Sequence, residues 1–408
     1  MKITLVSLNY SPELTGIGKY NGEMSPWFAA AGDSVDAVCA PPYYPEWRVH
    51  AGYSGLSYCT SVENGVRVTR CPLYVPAQPS TIKRLLHLAS FAFTSGLALF
   101  AKVFKRPDVV FVVEPTLFTV PSSLLFCKLV GAKCVLHIQD YEVDAMFGLG
   151  MAGKAGFLAS TAYKVERWLM RRFDAVSTIS FSMMAKAEQK GVDPKRLVFF
   201  PNWSDTTFVH PGVDGSRLRR SWGVTESQKV VLYAGNIGAK QGLELVLDAA
   251  ERYISQPDIR FFLVGSGAYA TELQGMAAQR GLSNVEFKPL QAWEDVPAML
   301  AMADVHLVVQ RKGAADAVLP SKLTNILSAG GNAVITAEAD TELGRLVNEY
   351  PGIYSCVEPE NVESFCQGLE TELAKSGVNS VAREYAEKNL NKEAILGRFR
   401  EDLLSLLG

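Results

Sequence analysis

VVLYAGNIGAKQGLELVLDAA, residues 230–250, reads as a strand, a glycine-rich turn and a helix in succession. Val230–Tyr233 is a β-branched and aromatic run of the kind that forms buried parallel strands. Ala234–Gly242 follows with three glycines and one lysine. Leu243, Val246, Leu247 and Ala250 then recur at helical spacing, which predicts a helix opening straight after the loop. Such a unit can receive a phosphate: glycines let the backbone approach an anion, a helix N-terminus offers unpaired N–H groups, and Lys240 supplies a positive charge. An ordinary strand-to-helix connection with a solvated lysine fits the same letters.

The pattern extends in both directions. Upstream, Ile3–Leu8, Val35–Cys39, Val66–Arg70, Val109–Val113, Cys134–Ile138, Ala175–Ile179 and Leu197–Phe200 read as strands separated by helical stretches. One of these stretches is the long Thr81–Lys105. Downstream of Val230–Tyr233 the series continues with Arg260–Val264, Val285–Phe287, Val305–Val309, Ala333–Thr336 and Tyr354–Cys356. Alternating apolar strands and helices predict an α/β fold, and two such series predict two doubly wound, Rossmann-like domains facing each other across a cleft. Polar residues 204–216 read as a linker. The expected domains are 1–205 and 206–379, with 380–408 a single C-terminal helix that packs back toward the first domain.

The 408 residues exceed one ordinary core, in keeping with two domains. Mean hydropathy is +0.08 and 20% of residues are charged, the balance of a globular chain. Net charge is −2, but the first 205 residues carry 21 Lys and Arg against 16 Asp and Glu. Seven scattered cysteines without paired spacing predict reduced thiols and a cytoplasmic setting. The opening MKITLVSLNY reads as a first strand and not as a signal peptide. A pI near 6.3 without a basic run argues against a nucleic-acid partner. There is no HExxH, no His/Cys cluster, no DxD, no GxSxG and no Walker A motif, so metal-dependent hydrolysis, serine hydrolysis and P-loop chemistry are not expected.

Three groups fall at predicted strand C-termini. Gly16 and Gly18 follow the first strand, without the full GxGxxG pattern and without an acidic residue ending the second strand to hold a ribose. In His137-Ile-Gln139-Asp140, His137 and Gln139 share one strand face, and both could hydrogen-bond a sugar hydroxyl or an oxyanion; a satisfied structural histidine is the competing reading. In RKGAADAVLPSKLTNILSAGG (311–331), Ser321 and Lys322 open a helix, with Asn325 one turn on. Two lysines, each beginning a helix in one domain, suit a diphosphate.

These blocks carry a family resemblance. NYSPELTGIGKY (9–20), APPYYPEW (40–47), PSTIKRLLHL (79–88), LHIQDYEVDAM (136–146), FFPNWSD (199–205), AGNIGAKQGLE (234–244), LVGSG (263–267) and KGAADAVLPSKLTNIL (312–327) make the whole chain resemble a GT-B glycosyltransferase of family GT4. Within that family it is similar to the fucosyltransferases of colanic-acid biosynthesis. The resemblance implies retaining, metal-independent transfer from a nucleotide diphosphosugar, with no further cofactor. GDP-fucose is the favoured donor, and a polyprenyl-diphosphate-linked oligosaccharide at the cytoplasmic face of the inner membrane is the acceptor. Another GDP- or UDP-sugar, or a catalytically silent sugar-nucleotide scaffold, is the alternative. The basic ends of the apolar stretch Thr81–Lys105 suit peripheral contact with that membrane.

Carried over by position, Gly16 and Gly18 match the glycine loop beside the donor diphosphate, and Lys240 matches the lysine on it. Gly265 and Gly267 match the loop near the base, and Ser321, Lys322 and Leu323 match the segment whose amides hold the phosphates. Four positions, Asn236, Ala317, Asn325 and Gln139, depart from the family pattern. Asn236 stands where many members have arginine. The Glu-x7-Glu pair falls on Ala317 and Asn325, and the usual His-Asp falls on Gln139 and Asp140, with His137 two residues upstream.

Overall fold

The computed structural model describes residues 1–13, 16–78, 80–115, 117–147, 156–313 and 320–408. The chain divides into two compact units, Met1–Pro201 with Leu396–Gly408 and Asn202–Ile395.

In the first unit the described strands are β1 (Lys2–Ser7), β2 (Ser34–Cys39), β3 (Cys59–Glu63), β4 (Val66–Arg70), β5 (Val109–Glu114), β6 (Lys133–Ile138), β7 (Ala175–Thr178) and β8 (Leu197–Phe199). They form one sheet in the order β3-β4-β2-β1-β5-β6-β7-β8. All six residues of β5, VVFVVE, are buried, as expected of a strand covered on both faces. The order reverses at β1, which pairs in parallel with β2 on one side and β5 on the other. A reversal of this kind leaves a crevice at the carboxyl ends of the strands.

Strand β3 escapes the apolar pattern. It is largely exposed and pairs antiparallel to β4, with Glu63 opposite Val66. The two residues between them, Asn64 and Gly65, have φ of 49° and 82°. That is the Asn-Gly turn favoured in two-residue hairpins, so the signal was in the letters.

The second unit has β9 (Lys229–Ala234), β10 (Ile259–Val264), β11 (Val285–Lys288), β12 (Val305–Val308), β13 (Ala333–Thr336) and β14 (Ser355–Val357). Its described strands run in the order β11-β10-β9-β12-β13-β14, all parallel. Alternation along β9 supplies two cores. Val231 and Tyr233 pack with Leu243, Val246 and Leu307 on one face, while Val230 and Leu232 pack with Phe262 and Met299 on the other. Each fully buried side chain of this kind contributes ~1.5–3 kcal/mol. The reversal here lies between β9 and β12, so the loops after those two strands flank the crevice.

The tail is two helices, not one: Ser380–Asn389 and Lys392–Leu407. The break falls at Leu390-Asn391, where the Asn391 side chain caps the second helix by accepting from the Ala394 amide at 3.0 Å. Beyond it, Phe399 stacks on Phe200 with ring centres 3.7 Å apart, and the Arg400 Nε donates to Asp33 at 2.7 Å. Among the described residues no helix is long and apolar enough to cross a membrane.

Candidate functional site

The loop after β9 is zipped to the loop after β10. The Gly235 amide donates to the Val264 carbonyl at 2.9 Å, Ile237 to Ser266 at 2.9 Å, and Tyr269 to Ile237 at 3.1 Å. This fit explains the glycines of LVGSG. A Cβ on Gly265 would lie 1.9 Å from the Gly235 carbonyl oxygen, and one on Gly267 would lie 2.2 Å from that of Ile237. Gly265 and Gly267 therefore shape the loop by letting two backbones touch. Asn236 is exposed at the turn, its backbone carbonyl accepting from the Tyr233 hydroxyl at 2.6 Å.

Lys240 lies in this loop, but not at the mouth of the following helix. It belongs to a single 3₁₀ turn, Ala239–Gln241, closed by Gly242 in the left-handed conformation, and the helix proper runs Glu244–Arg252. Its contribution is therefore an exposed charge on a short turn and not a row of helix amides. Arg311, just beyond β12, fixes that turn. Its amide donates to the Lys240 carbonyl at 3.3 Å, its Nε to the Ala239 carbonyl at 2.7 Å, and its Nη2 to Glu244 at 2.8 Å. Glu244 is held in turn by the Tyr269 hydroxyl at 2.7 Å. Sequence reasoning passed over Arg311 because nothing in its neighbours' letters reveals a contact across seventy residues.

Lys322 reaches the same place from the other side of the reversal. It lies in the first turn of the helix Ser321–Ser328, and its ammonium sits 3.9 Å from the centre of the Tyr233 ring. A Cβ on Gly235 would fall 2.9 Å from the Lys322 Nζ, so the glycine makes room for the lysine. Among the described residues the ammonium has neither an acidic partner nor a hydrogen bond, and burial lowers its pKa to about 7. A partly buried cation with only an aromatic face for company attracts an anion. Lys322 thus touches the first glycine of the loop that carries Lys240 five residues later. The two lysines therefore lie on the two segments that follow β9 and β12, the strands flanking one reversal point.

The rest of that helix contributes less than the resemblance implies. Ser321 is exposed at its start. Leu323 has a buried side chain, and its amide already donates to the Pro320 carbonyl at 2.8 Å, so it is not free for a phosphate. Asn325 accepts from the buried Ser204 hydroxyl at 2.9 Å, which ties the helix to the start of this unit. Ala317 and its neighbour Asp316 lie outside the described residues.

In the first unit, Gly16 (φ 56°) is the first residue of the helix Gly16–Ala30. Gly18 is packed against Glu13, whose Cβ would be 2.6 Å from a Cβ placed there. Glu13 is a buried residue absent from the sequence reading. It accepts from the amides of Tyr43 and Tyr44, each at 3.0 Å, and from Asn9 at 2.8 Å, pinning the Pro-Tyr segment after β2.

His137 is 2% exposed, between Phe111 and Phe200. Burial holds its pKa at about 3, so the ring is neutral. Nδ1 donates to the Ser177 hydroxyl at 2.9 Å, that hydroxyl donates to the Leu136 carbonyl, and Nε2 accepts from the Gln139 amide at 2.9 Å. Both ring nitrogens are thus occupied, and His137 positions Gln139 instead of meeting a ligand. Gln139 is half-buried and Asp140 exposed at the end of β6. Near them Glu114 and Glu142 are buried, and Glu114 is held well above the usual carboxylate range by burial and by the charges of Glu142 and Glu166. Among the described residues no group of three or more His, Cys, Asp or Glu could hold a metal ion.

Comparison with known proteins places this geometry. Residues 15–203 match the family model for a glycosyl transferase 4-like domain, and residues 214–389 match that for glycosyl transferases group 1. The colanic acid biosynthesis glycosyl transferase WcaI of Escherichia coli (strain K12) is 54% identical over 407 residues, covering 99% of this chain and 100% of that protein. The chain belongs to the GT4 glycosyltransferases. Among solved structures, sucrose-phosphate synthase from Thermosynechococcus elongatus superposes with a TM-score of 0.77 at 16% identity, covering 99% of both chains. Anabaena HepE in complex with UDP and glucose gives 0.71 at 16% identity, covering 99% of this chain and 100% of that one. These likenesses establish the GT-B fold, two Rossmann-like α/β domains, and the family makes this protein a transferase enzyme.

Proposed function

We propose that this glycosyltransferase moves a hexosyl group, with L-fucose from GDP-fucose the favoured donor, onto a polyprenyl-diphosphate-linked oligosaccharide during synthesis of a colanic-acid-type exopolysaccharide. The 54% identity to WcaI over the whole chain supports the pathway. The observation that carries the chemistry is the Lys322 ammonium, which has no counter-charge among the described residues and is held against Gly235, the first glycine of the loop that carries Lys240. Two such cations suit a diphosphate, the leaving group of a nucleotide sugar.

In this reading the bond from sugar C1 to the diphosphate oxygen breaks first. The oxocarbenium-like sugar is then attacked on the same face by the acceptor hydroxyl, whose proton passes to the departing phosphate oxygen. No protein nucleophile and no metal is required. Lys240 and Lys322 stabilise the negative charge that builds on the diphosphate, and a well-placed donor of this kind is typically worth ~10²–10³ in rate.

The acceptor reading places the protein on the cytoplasmic face of the membrane as a peripheral enzyme. Its support is the helix Thr81–Phe100, which exposes Ile82, Leu86, Phe93 and Leu97. A thermal-shift panel of GDP-fucose, GDP-mannose, UDP-glucose and UDP-N-acetylglucosamine tests the donor, because a cognate ligand stabilises only the folded form. Stabilisation by GDP-fucose alone, followed by transfer with retained anomeric configuration, is the expected result. A preference for a UDP-sugar would replace the donor, and absence of any transfer would leave a sugar-nucleotide scaffold.

A further inference from the structure

We propose that an apolar groove in the first unit holds part of the isoprenoid chain of the lipid-linked acceptor; this rests on the acceptor reading above. The groove encloses about 700 Å³ and is walled by Trp47, Val49, Leu56, Leu73, Tyr74 and Ala77. That volume is within the usual range for a ligand pocket of ~300–1,000 Å³.

Its chemistry selects hydrocarbon over sugar. The Ser90 and Thr94 hydroxyls on its wall are already satisfied by the protein. Ser90 Oγ accepts from the Tyr74 amide at 3.1 Å and donates to the His87 carbonyl at 2.7 Å. Thr94 Oγ1 donates to the Pro72 carbonyl at 2.8 Å. Most of the remaining wall is aliphatic or aromatic, and an alkenyl chain covers such a surface without giving up hydrogen bonds to water.

The groove opens beside the exposed apolar stripe of the helix Thr81–Phe100. At 3.6 residues per turn, Ile82, Leu86, Phe93 and Leu97 span about 60° of the helix surface, and Ser90 and Thr94 fall within about 60° of that stripe's edge. Leu56 at the groove rim is 94% exposed, and Tyr58 and Tyr74 are exposed nearby. The stripe and the groove rim thus offer apolar surface to a chain leaving a bilayer, with the exposed Lys83 on the same side of the helix.

The charges suit an anionic headgroup. Arg48 lines the groove, and the Arg84 guanidinium lies 5.5 Å from the centre of the Trp47 ring. Residues 64–107 contain seven Lys or Arg and no Asp or Glu. The carboxylate on the groove wall, Glu46, is paired with His50 at 3.0 Å.

Equilibrium dialysis of the full chain against radiolabelled farnesyl phosphate tests this, with Ala77→Phe filling the groove and Leu56→Asp placing a carboxylate at its mouth. Both positions are exposed, and matched melting temperatures show that the variants fold. One saturable site, weakened at least tenfold in both variants and unchanged in Lys322→Ala, is the expected result. Equal binding in Ala77→Phe, or binding lost only in Lys322→Ala, would overturn the groove. The two readings fail separately. Prenyl binding with no sugar transfer from any donor would sink the proposed reaction but leave the groove, while transfer to a water-soluble saccharide without prenyl binding would do the reverse.

Discussion

The ammonium of Lys322 lies 3.9 Å from the centre of the Tyr233 ring, across the point where the strand order of the second unit reverses. Tyr233 is fully buried at the end of β9, with its hydroxyl committed to the Asn236 carbonyl, so the ring is a fixed platform. The platform holds a cation that has no acidic partner among the described residues.

That placement has a pH signature. The Lys322 pKa is lowered to about 7 in the ligand-free protein, against ~10.4 in an unfolded chain. Between those values the unfolded chain binds the extra proton, so this group makes stability rise with pH from about 7 to about 10. Relative to Lys322→Met, the wild-type melting temperature is expected to climb across that window, and parallel profiles would contradict it. Nucleotide binding runs the other way: affinity for a diphosphate weakens above pH 7 as the free lysine loses its charge.

Arg311 is expected to act through the loop it holds. Arg311→Ala removes the anchors at Ala239 and Glu244. Donor affinity should fall about tenfold, equivalent to ~1.4 kcal/mol, with a smaller change in the melting temperature. Calorimetric titration with the nucleotide diphosphate measures it. Unchanged affinity would show that Lys240 needs no support.

Gly265→Ala and Gly267→Ala should each destabilise the second unit by ~1–3 kcal/mol, since a Cβ would meet a neighbouring backbone carbonyl that cannot swing aside. Denaturant melts report this directly, and wild-type midpoints would refute the tight loop contact.

His137 should show no ionisation between pH 5 and 8. Its ring is neutral and its nitrogens are bonded to Ser177 and Gln139. The His137 Cε1–H chemical shift should stay flat across that range. His137→Phe leaves the Ser177 and Gln139 partners unmatched and should cost ~1–3 kcal/mol in stability.

The strands and their alternation were legible because buried parallel strands are written as unbroken apolar runs, as in Val109–Val113 and Val230–Tyr233. The exposed strand Cys59–Glu63 has no such run, and only its Asn64-Gly65 turn betrays it. Residue types alone pointed to Lys240 and Lys322. What they could not convey was distance in space: that Arg311 clamps the Lys240 turn, that Glu13 pins Tyr43 and Tyr44, or that the Leu323 amide is already spent on Pro320. His137 shows the same limit from the other side, since a histidine at a strand end looks alike whether it faces a ligand or a serine.

The most direct measurement is calorimetric titration of GDP, UDP and the corresponding monophosphates into wild type, Lys240→Ala, Lys322→Ala and the double variant at pH 7. One diphosphate should bind the wild type, lose ~10–100-fold in each single variant and more in the double variant, while its monophosphate is affected far less. Diphosphate affinity that survives the loss of both lysines would contradict the account.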